Sequence, residues 1–169
     1  MDPFAILGIP QSYDINVVAL EKMHRELSRA VHPDRYAATT ASEKRGALER
    51  AVEVNEAWRV VRDPLRRAEA LLELQGISAE GARPEPEFLM EVVEEREALA
   101  DARAARDCGA VRVLAQTVQT RSTETERSLS HAFAGGRFEF LVEKLGRLRF
   151  YRRFLEEVSA IEDEFVESA

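Results

Sequence analysis

The chain has 169 residues, room for one medium domain or two small ones, and its 45% hydrophobic and 33% charged residues exclude a disordered or fibrous chain. Lys plus Arg number 24 against 31 Asp plus Glu, a net charge of -7, which argues against general nucleic-acid binding but leaves local basic faces possible. Cys108 is the only cysteine, so an internal disulfide and a thiolate metal cluster are excluded and a reducing compartment fits best.

Met1-Asp2-Pro3-Phe4 lacks the basic start and apolar run of a secretory signal, and no segment approaches the length needed to span a bilayer. The expectation is a cytoplasmic protein with no membrane association. Apolar residues recur at spacings of three and four nearly everywhere, which predicts an all-α fold. Asp2-Pro3 resembles an N-cap followed by a first helical residue, opening a short helix through Phe4 and Leu7 that stops at Gly8. A second helix follows Asn16, with Leu20, Met23 or His24, Leu27 and Val31 inward, and Pro33 ends it at His32.

Thr40-Ala41-Ser42-Glu43 supplies a capping box for a third helix. Its inner face carries Ala47 or Leu48, Ala51, Val54 or Asn55, Trp58 and Val61. Asp63-Pro64 repeats the cap-plus-proline start, and Leu65, Ala68, Leu71 and Leu72 carry a fourth helix to Gly76. Two long antiparallel helices with short flanking ones result, over residues 1–75. Residues 76–85 have two glycines and a proline without helical period, the signature of a linker.

Three more helices are expected in 86–169, at about 86–107, 110–133 and 137–166, with Gly109 and Gly135-Gly136 at the breaks. Phe138, Leu141, Leu145, Leu148, Leu155, Val158 and Phe165 form the stripe of the last one, implying a three-helix bundle.

His32-Pro33-Asp34 follows an amphipathic helix and precedes a second long one. Together with Phe4-Ala5-Ile6-Leu7-Gly8, Arg35-Tyr36, and Asn55-Glu56-Ala57-Trp58 before Asp63-Pro64, this arrangement resembles a J domain over roughly residues 2–75. Lys22, Arg25 and Arg29, at three- and four-residue spacing, share the solvent face of the second helix and lead toward the loop. The resemblance implies that this face, with His32, Pro33, Asp34 and Arg35, docks on an acidic surface of a DnaK-class chaperone. It further implies that Asp34 triggers hydrolysis of the chaperone's ATP. Read by themselves, without the flanking match, the same residues better suit a proline-stopped helix with a solvated charged face, partly offset by Glu21 and Glu26. A hydrolase using His32 and Asp34 is disfavoured, since no nucleophile or oxyanion donor is recognisable. His24 and His131 lack the companions a metal site needs, so no metal and no cofactor are expected.

In the second half, Phe88-Leu89-Met90 fan across more of a helix than one buried face requires, and Phe150 is out of phase with its stripe. Surplus apolar groups rimmed by charge fit a partner site, although Phe88, Met90 and Phe150 could instead all pack inside the bundle. Phe88-Leu89-Met90-Glu91, Glu94-Glu95-Arg96-Glu97 and Leu148-Arg149-Phe150 are similar to the C-terminal helices of the HscB family, so the likeness spans nearly the whole chain. That resemblance implies an L-shaped two-domain co-chaperone with an HscA-like chaperone and an IscU-like iron-sulfur scaffold protein as partners. Its scaffold-binding residues fall on Leu89, Met90, Val93, Glu94, Glu97, Asp101 and Phe150. His24 where many members carry an aromatic residue, Glu95 at a usually apolar position and Val93 in place of leucine depart from the pattern and imply weaker scaffold binding. A J protein serving a different client is the alternative. Lys144, Arg147, Arg149, Arg152 and Arg153, interleaved with Phe150, Tyr151 and Phe154, could suit single-stranded nucleic acid. The acidic chain, and the expectation that these cations face Glu91, Glu94 and Glu95 across the bundle, argue for no nucleic-acid partner.

Overall fold

The computed structural model describes residues 2–32, 40–79, 85–138 and 140–167, which form helices and connecting turns. The chain divides into two compact units, Met1–Ser78 and Ala79–Ala169.

Local capping chemistry sets the elements of the first unit. The Asp2 carboxylate accepts from the Phe4 and Ala5 N–H groups, at 2.9 and 3.2 Å, and opens α1, Pro3–Leu7. Asn16 caps α2, Val17–Ala30, by accepting from the Ala19 N–H at 3.0 Å. Thr40 and Glu43 form the reciprocal capping box of α3, Ala41–Arg62. Asp63 accepts from Leu65 and Arg66 and starts α4, Pro64–Leu74. Helix α2 closes at Val31, one residue short of the expected end.

Helix α3 packs against α1, α2 and α4. Phe4, Leu7, Leu20, Val54, Val61, Leu65 and Leu72 meet in the core between them. Ala57 lies inside rather than Trp58, which is half-buried, because α3 must serve α1 and α4 as well as α2. Leu48 is 55% exposed, so Ala47 is the inward residue of that pair.

The second unit contains α5, Pro86–Ala104, α6, Cys108–Ala134, and α7, Leu141–Glu167. Helix α6 packs on α7, and α5 lies on α6. Arg147 bonds Glu85 at 2.7 Å and Arg103 bonds Glu164 at 2.6 Å. The two pairs run in the same order along both helices, so α5 and α7 are parallel and α6 runs opposite to them.

The break between α5 and α6 falls before Gly109, against expectation. Arg106 adopts the left-handed conformation, φ 52°, and Asp107 accepts from the Ala110 N–H at 2.9 Å, which places Gly109 inside the first turn of α6. Helix α7 begins four residues later than expected, after a turn through Gly136 at φ 64°. Its buried stripe runs Leu141, Leu145, Leu148, Tyr151, Phe154, Val158, Ile161, Phe165. Leu155, expected inside, is only half-buried, because steps of three carry the stripe from Leu148 to Phe154.

Candidate functional sites

Lys22, Arg25 and Arg29 are exposed and lie within about 60° of arc on α2, at 100° per residue. Exposed Glu26 lies about 40° beyond Lys22, at the edge of that arc, and partly offsets its charge. His32 is exposed beyond the end of the helix, whereas Pro33, Asp34 and Arg35 lie outside the described residues. Contacts on the inner flank settle the rotation of α2. The His24 ring stacks on Trp58 with centroids 4.5 Å apart and planes 17° from parallel, and its Nε2 lies 3.0 Å from Asn55 Oδ1 and 3.2 Å from Ser28 Oγ. The Arg62 guanidinium sits 4.8 Å from the centre of the same indole. This clamp turns the cationic arc outward. The sequence signal for it is the pairing of an inward His with an inward Trp, but the stack itself depends on helix–helix register.

On α5 two faces separate cleanly. Phe88, Leu99 and Ala102 point into the bundle. Leu89, Met90 and Val93 are 46%, 62% and 49% exposed, and Glu94, Glu97 and Asp101 are exposed beside them. These six residues fall within about 140° of one face of the helix. None of the three carboxylates forms an ion pair among the described residues. Two other glutamates of α5 are used internally: Arg121 of α6 bonds Glu91 at 3.4 Å and also bonds Glu95. Burial holds the Glu95 carboxyl above its ordinary value, opposed by the Arg121 charge and reinforced by Glu91.

That pairing corrects the expected role of the α7 cations. Glu91 and Glu95 are held by α6, Glu94 is exposed, Arg147 bonds Glu85 and Glu143, and Arg149 donates to the Ala79 carbonyl at 3.1 Å. The expected trio of Phe88, Met90 and Phe150 divides as well. Phe88 is buried, Met90 is out, and Phe150 is half-buried. The Phe150 ring meets Phe88 edge-on at 5.6 Å and Phe154 at 6.0 Å. Phe150 thus belongs to the aromatic seam between α5 and α7, not to the exposed face of α5 itself. Among the described residues no group of three His, Cys, Asp or Glu could hold a metal, and no helix is long and apolar enough to cross a membrane.

The comparisons with known proteins follow the same division. The DnaJ domain model matches residues 2–70 and the HSCB C-terminal oligomerisation domain model matches residues 84–159. A co-chaperone protein HscB homolog of Azoarcus sp. is 37% identical, covering 93% of this chain and 91% of the relative. One from Bordetella pertussis is 34% identical, over 94% of this chain and 95% of that one. The chaperone HscB of Vibrio cholerae superposes with a TM-score of 0.86 at 29% identity, over 97% of this chain and 99% of that chain. The crystal structure of the human co-chaperone protein HscB gives 0.89 at 26% identity, over 96% of this chain and 82% of that one. On this sequence identity and coverage, with a J domain followed by the C-terminal helical domain, the chain belongs to the HscB co-chaperone family.

Proposed function

We propose that this co-chaperone uses residues 1–75 to engage an HscA/DnaK-class chaperone and residues 86–169 to carry an IscU-like iron-sulfur scaffold protein, with residues 76–85 as the linker. It acts in the cytoplasm, and ATP hydrolysis belongs to the chaperone. Lys22, Arg25 and Arg29 steer an acidic chaperone surface and set its orientation, while His32, Pro33, Asp34 and Arg35 complete the contact, with Asp34 as the trigger. Leu89, Met90 and Val93 are the apolar anchors for the scaffold, Glu94, Glu97 and Asp101 its charged rim, and Phe150 the aromatic edge beside them.

The carrying observation is the division of labour along α5. Glu91 and Glu95 are bonded to Arg121, whereas Glu94, Glu97 and Asp101 border three exposed apolar side chains and form no ion pair among the described residues. Apolar groups left outside a bundle and rimmed by unpaired charge suit a protein partner. Fully burying each anchor is worth roughly 1.5–3 kcal/mol before the costs of association, enough for a reversible hand-off.

Steady-state ATP hydrolysis by the cognate chaperone, with this protein and the scaffold added separately and together, tests the reading. Both together should stimulate more than either alone. Asp34→Asn should abolish the stimulation while leaving scaffold retention intact; equal stimulation by variant and wild type would defeat the assignment. A J protein for another client would show no synergy with the scaffold.

A further inference from the structure

The chain has three methionines and one cysteine. Met23 is half-buried in the first unit and Met1 lies outside the described residues, whereas Met90 is 62% exposed on α5, more than either of its neighbours Leu89 and Val93. Of the three apolar anchors assigned to the scaffold, only Met90 can react: a hydroperoxide converts its thioether to a sulfoxide, while leucine and valine are inert to it. Cys108 is exposed too, but it opens α6 and stands outside the α5 face. The core does not depend on Met90, since Phe88, Leu99 and Ala102 are the buried residues of α5.

The surroundings of Met90 decide what an added oxygen does. Its neighbours one turn away along α5 are Pro86, Glu87, Val93 and Glu94. None of them offers a side-chain donor, because an ionised carboxylate only accepts. A sulfoxide oxygen here is therefore hydrated while the face is open, and it loses that water without replacement when a partner's apolar surface covers it. Oxidation thus leaves the fold alone and weakens whatever docks on Leu89, Met90 and Val93.

We propose that Met90 is a modification site, at which reversible oxidation by a hydroperoxide releases the scaffold; the inference rests on the scaffold-carrying role given to α5 above. A sulfur lone pair attacks one peroxide oxygen, and the S–O bond forms as the O–O bond breaks. The departing hydroxide takes the proton of the attacked oxygen and leaves as water, so sulfur loses two electrons and the peroxide gains them. The test uses the full chain carrying Cys108→Ser, treated with hydrogen peroxide that catalase removes before purified scaffold is added. Peptide mass spectrometry locates the added oxygen, and a pull-down titration measures retention. Met90 should gain oxygen faster than Met23, and scaffold affinity should fall about tenfold, or roughly 1.4 kcal/mol. Methionine sulfoxide reductases of both epimer specificities should restore it. Adding Met90→Leu, which keeps volume and apolar character, should preserve retention before and after peroxide. Slower oxidation at Met90 than at Met23, undiminished retention once Met90 is oxidised, or an equal peroxide loss in Met90→Leu overturns the proposal. Untreated Leu89→Ala separates the two readings. If it retains the scaffold as well as its parent, the role of α5 itself fails, whereas weakened retention there with undiminished retention after oxidation sinks the oxidation site alone.

Discussion

Glu95 shows how one side chain trades helix position against charge. Its place on α5 turns it toward α6, where Arg121 receives it, but desolvation still outweighs that attraction and holds its carboxyl above the ordinary 4.5. The folded protein therefore binds this proton more tightly than the unfolded chain does. The contribution of Glu95 to stability is largest when the group is protonated and falls as pH rises from about 4.5 through its raised folded value. Glu95→Gln should remove that fall, so the variant gains on the wild type between acid and neutral pH. Urea unfolding at a series of pH values measures the difference, and a wild type that gains on the variant across that interval would show that Arg121 dominates instead. A raised value here is not evidence of catalysis, because burial of the side chain against α6 accounts for it. At the same scale, the sequence marked His24 as a departure from an aromatic position. Its imidazole supplies an aromatic face regardless, stacked on Trp58.

At the scale of elements, each well-read boundary is a local hydrogen-bonded cap. Helix α4 ends with Gly76 at φ 73°, whose N–H bonds the Glu73 carbonyl while the Ile77 N–H bonds that of Leu72. A Cβ at Gly76 would meet nothing within 4 Å, so the cost of Gly76→Ala is conformational. It should destabilise the protein by about 1–2 kcal/mol in denaturant unfolding with an unchanged m-value. Arg106 occupies the equivalent position between α5 and α6, with the Arg106 and Asp107 N–H groups bonded to the Arg103 and Ala102 carbonyls. A non-glycine cap carries no marker in the sequence, so the glycine pattern points to Gly109 as the break instead. Inside the bundle, Leu99 is 1% exposed on the inner face of α5. Leu99→Ala should cost about 2–5 kcal/mol through lost burial and the cavity left behind, also read from equilibrium unfolding.

For the whole molecule, the two proposed contacts lie in separate compact units, so their effects should separate. Val93→Ala should leave stimulation of the chaperone by this protein alone unchanged and weaken scaffold retention about threefold to thirtyfold, since each 1.4 kcal/mol is a factor of ten. Measured side by side in the ATPase and pull-down assays, Asp34→Asn should show the opposite pattern. Loss of both readouts in either variant would point to a damaged fold rather than a damaged contact.

The helical class, the caps at Asp2, Asn16, Thr40 and Asp63, and the family likeness were legible from residue order, because capping bonds and apolar spacing act over a few positions of the chain. The exposed second face of α5, with Leu89, Met90 and Val93 outside the bundle, was legible too, since apolar residues in excess of one buried face must lie elsewhere on the helix. Two things needed the fold: that Arg121 rather than the α7 cations holds Glu91 and Glu95, and that Phe150 packs on Phe88. Each depends on the rotation and register of helices far apart in sequence, which side-chain packing sets and no local pattern encodes.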